Sequence, residues 1–69
     1  MKNIQSKIKE VELEIQGLKS ERKYFTLRLK DCKNHECKMI DMMLRAIGRS
    51  LFKAEARLRK LELELKLKQ

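Results

Sequence analysis

The sequence predicts an all-α fold: an antiparallel two-helix hairpin, coiled-coil-like, that dimerises into a four-helix bundle. Three observations predict it. The 69 residues contain no Pro and only two Gly, the residues that turn-rich β folds need. Leu, Ile, Lys, Glu and Arg dominate, which is the composition of long helices. Apolar residues recur alternately three and four apart in two runs that do not share a phase. The predicted unit is one domain over residues 1–69, with helix 1 at about 3–31, a turn at about 32–36 and helix 2 at about 37–67.

Helix 1 carries the first run: Ile4, Ile8, Val11, Ile15, Leu18, Arg22, Phe25, Leu29 and Cys32. Arg22 is its one charged member, and its long stem can carry the guanidinium past the neighbouring apolar residues to water. The turn follows because Asp31-Cys32-Lys33-Asn34-His35-Glu36 is polar and aperiodic, and Asp and Asn favour turns over helix interiors. Helix 2 carries the second run: Cys37, Ile40, Leu44, Ile47, Leu51, Ala54, Leu58, Leu61, Leu65 and Lys68. From Cys32 to Cys37 is five residues, where an unbroken seam needs three or four. Folding the chain there pairs Leu29 with Ile40, Phe25 with Leu44, Leu18 with Leu51, Val11 with Leu58, Ile8 with Leu61 and Ile4 with Leu65. Beside the seam, Glu14 approaches Arg57 and Lys7 approaches Glu64, both attractive, while Glu12 approaches Glu55, which is repulsive.

Two other architectures compete. Met39, Met43 and Ala46 continue the first register for two turns, so a single helix ~100 Å long in a parallel coiled coil is one. A break at Gly48 with Ser50 as a new cap, giving a helix-turn-helix, is the other; a Gly inside a helix at a cost of about 1 kcal/mol is the plainer reading.

A hairpin buries one stripe of each helix, and this sequence has a second on both. Leu13, Gly17, Ser20, Tyr24 and Leu27 form one; Phe52, Ala56, Leu63 and Leu67 form the other, with Met39, Met42 and Met43 near the turn. Stripes of this kind mark interfaces, and a homodimer is the economical way to cover them. A different protein is the rival occupant.

Charge is uneven. The formal net charge is +8, and residues 19–53 hold ten Lys or Arg against four acids, which is +6. Lys23, Lys30, Lys33, Lys38, Arg45 and Arg49 are the candidate contacts for an acidic protein or for phosphates. A solvated face that keeps the protein soluble explains the same charges. Only three residues are aromatic, so any nucleic-acid binding is led by shape and charge.

Cys32, His35 and Cys37 are weak metal candidates, since a structural zinc wants four ligands and the chain offers no second cluster. Buried thiols closing the core rank first and a disulfide second, because no export signal is evident and a reducing cytoplasm keeps thiols free. His35 has no partner set for catalysis, and a thin bundle seldom offers a pocket. No apolar run approaches the ~20 residues of a membrane span. The expectation is a cytoplasmic, non-enzymatic protein without cofactor or membrane. It self-associates and binds a larger protein as regulator, inhibitor or adaptor. A nucleic-acid-binding hairpin dimer is the alternative, and an extended structural coiled coil the third reading.

Overall fold

The computed structural model describes residues 3–68. Met1, Lys2 and Gln69 lie outside the described residues. Two helices, α1 (Ile4–Lys30) and α2 (His35–Lys68), pack antiparallel as a hairpin measuring 53 × 18 × 14 Å. The fold-back excludes the single long helix. Gly48 lies within α2, which runs on without a break, so the helix-turn-helix is excluded as well.

Both ends of α1 and the start of α2 are held by local hydrogen bonds. Asn3 is the N-cap of α1: its extended backbone lets the side-chain Oδ1 accept from the Ser6 amide at 2.8 Å. At the other end the Asp31 amide donates to the Arg28 carbonyl at 3.1 Å, and Arg28 and Lys30 place positive charge on the last turn. The chain then reverses through Asn34, whose φ of 43° lies in the left-handed region that Asn tolerates better than most residues. The Glu36 amide donates to Lys33 and the Cys37 amide to Asn34, so α2 starts two residues ahead of Cys37.

The hairpin core is thin. Val11, Ile15, Ile47, Leu51 and Ala54 form one cluster, with Leu18, Phe25, Leu58 and Leu61 packed against it; Ile40 is buried nearer the turn. All of these are seam residues. Arg22 is exposed, as its snorkelling stem requires, and Leu29, in the last layer before the turn, is 36% exposed. Beside the seam, Glu14 and Arg57 form an ion pair at 3.7 Å.

The cysteines correct the sequence reading. Cys32 and Cys37 are not buried thiols: they are joined by a disulfide that ties the two helices together across the turn. Their Cα atoms are 5.3 Å apart, inside the range a disulfide spans without moving the backbone. The fold-back itself brings the two sulfurs within bonding reach.

Candidate interaction surface

The fold-back places the basic candidates along the half of the hairpin that carries the turn. Lys23 and Lys30 lie seven residues apart on one line of α1, Lys38 and Arg45 likewise on α2, with Arg49 one turn on and Lys33 in the loop; all six are exposed. Arg45 is paired to Asp41 one turn earlier at 3.2 Å, so part of its charge is already answered. The opposite flank of the closed end has another character. There Tyr24, Leu27, Arg28, Asp31, Cys32 and Glu36 line a shallow depression. The Arg28 guanidinium donates to the Tyr24 hydroxyl at 3.0 Å, and this bond is the main reason Arg28 holds its proton even more tightly than usual. Tyr24 also meets Phe25 edge-on at 5.2 Å between ring centres, so this aromatic is held in place at the surface.

Both second stripes are exposed, but the structure does not bring them to one surface. Leu13, Ser20 and Leu27 follow one another at seven-residue spacing on the face of α1 that points away from α2, with Gly17 and Tyr24 on the adjoining line. Ala56 and Leu63 occupy the corresponding outer face of α2, flanked by Phe52 on one side and Leu67 on the other. The two outer faces look in opposite directions, so a single flat contact cannot cover both. Met39, Met42 and Met43 are also exposed, near the turn.

The sequence reading missed the surroundings of Gly48. Arg45, Gly48, Arg49, Phe52 and Lys53 line a shallow, open depression, and Phe52 there is 71% exposed. A Cβ built on Gly48 meets nothing within 4 Å, so packing inside the hairpin does not require glycine there. A mid-helix Gly followed four residues later by an aromatic was the available signal.

Chemistry is sparse. Both sulfurs are committed to the disulfide, so Cys32 and Cys37 offer no thiolate to a metal, and His35 sits exposed at the start of α2. Among the described residues no group of three or more His, Cys, Asp or Glu side chains is placed to hold a metal ion. No helix among them is long and apolar enough to cross a membrane. Comparison with family models, curated proteins and solved structures finds no match to this chain.

Proposed function

We propose that this chain is a small non-enzymatic interaction protein that self-associates, as hairpins paired into a four-helix bundle, and binds a larger protein as regulator, inhibitor or adaptor. The carrying observation is the balance of apolar surface. Among the described residues six form the buried core, while ten large apolar side chains, including Leu13, Phe52 and Leu67, are at least 36% exposed. A short chain with so little core gains stability when such surface is covered by another chain. The basic closed end then faces an acidic patch on the larger partner. Copurification from native cells tests the reading: a stoichiometric protein partner, released by charge reversal at Lys30, Lys38 and Arg45, is the expected result. Recovery of the chain with no stoichiometric protein partner rejects it.

The exposed cation lines of Lys23–Lys30 and Lys38–Arg45 favour a second reading, in which the closed end grips phosphates. Electrophoretic shifts with duplex DNA and RNA across a salt series decide it; absence of binding at low salt removes it. The cytoplasmic location expected from the sequence and the Cys32–Cys37 bond pull in opposite directions, since reducing compartments disfavour disulfides. Thiol labelling of the protein at the moment of cell lysis distinguishes the two states.

A further inference from the structure

Along α2 one line of residues flanks the seam at alternating three- and four-residue steps: Lys38, Asp41, Arg45, Gly48, Phe52, Glu55, Arg59 and Glu62. Every one has its side chain or, for Gly48, its backbone face open to solvent in whole or in part. The line is self-complementary about its midpoint near residue 50. Laid antiparallel against a second copy of itself, Lys38 meets Glu62, Asp41 meets Arg59, Arg45 meets Glu55 and Gly48 meets Phe52, and each meeting occurs twice by symmetry.

We infer that a second copy of this chain docks along this line, forming an α2–α2 seam about 36 Å long with its two-fold axis between Gly48 and Phe52. The inference rests on the self-association reading and names its surface and register. Three features support it. The signs are opposite at all three charged layers. Gly48 has no internal packing reason to be glycine, and it lies in an open depression beside Phe52, where a bare backbone lets a facing helix approach. The register is also specific: sliding the copies by one heptad sets Phe52 against Asp41 or against Glu55. Arg49 lies beside the axis near its own copy, and its stem turns outward to water in this arrangement.

Phe52 supplies the apolar anchor and the charged layers select the orientation, as in other contacts where few residues carry most of the affinity. The outer stripe containing Leu13, Tyr24 and Leu27 stays open in this dimer, free for a different protein.

Sedimentation equilibrium over a range of concentrations tests the seam. The wild-type chain is expected to dimerise. Gly48→Leu, whose Cβ meets nothing within 4 Å in its own hairpin and which raises helix propensity, should keep full helicity yet raise the dimer Kd by about a hundredfold by filling the place of the partner's Phe52. Arg45→Glu and Glu55→Arg should each weaken the homodimer about tenfold, because each creates two like-charge layers. Mixed one to one, these two variants should form a heterodimer at least as tight as wild type, since all Arg45–Glu55 layers are again opposite in sign. A wild-type dimer unaffected by Gly48→Leu, or variants that fail to rescue each other, overturns the seam and leaves self-association through another face. A chain monomeric at every concentration overturns both.

Discussion

Asn34 carries the reversal of the chain with a φ of 43°, where a side chain with a branched Cβ crowds its own backbone. Asn34→Gly should be neutral or slightly stabilising. Asn34→Val should cost about 1–2 kcal/mol, the penalty for left-handed backbone, when the oxidised variants are compared by urea denaturation. At the middle of the seam, Leu51 is 3% exposed within the main cluster, so Leu51→Ala removes packed methyl groups and leaves a cavity. The expected loss is about 2–4 kcal/mol, enough to abolish cooperative thermal melting in so small a core. Leu67→Ala, on a side chain 78% exposed, should change stability by less than about 0.5 kcal/mol.

At the scale of elements, the two helices were legible because burial in a hairpin imposes one apolar stripe per helix. Among the described residues, all six that are buried fall on the two runs read from the sequence, and the charged seam member Arg22 stays in water. What the spacing did not encode was the state of the sulfurs, which depends on the surroundings as well as on the chain. Nor did periodicity reveal that the outer stripes of α1 and α2 face apart, because that follows only once the two helices are laid side by side. The depression at Gly48 escaped for a related reason: a glycine in a helix carries no period, and its meaning lies in what surrounds it. The disulfide closes a loop of six residues, from Cys32 to Cys37, and constrains the unfolded chain. Loop-closure entropy for that length gives about 2 kcal/mol. Reduction by a small dithiol should lower the unfolding free energy by about that amount while leaving far-UV helicity intact at high protein concentration. Loss of helicity on reduction under those conditions would show that the clasp, and not the seam, holds the hairpin.

As a whole molecule, the 53 Å hairpin is about half the length of a single 69-residue helix, so its solution scattering should exclude a rod-like monomer. With so little core of its own, its midpoint of thermal unfolding should rise with protein concentration, the signature of stability gained on association. A midpoint that stays constant from micromolar to millimolar chain would argue that the hairpin stands alone. The clasp has one more consequence, which concerns force. Ile4 and Leu65 lie together at the open end, so tension applied to the two ends of the chain loads one layer of the seam at a time. The hairpin should therefore peel at low force, in the manner of a zipper, from Ile4 toward Phe25. Extension then halts at Cys32–Cys37, a covalent stop that shields residues 33–36 from load. In a single-molecule stretching experiment, adding a reductant should lengthen the fully extended chain by that protected segment alone.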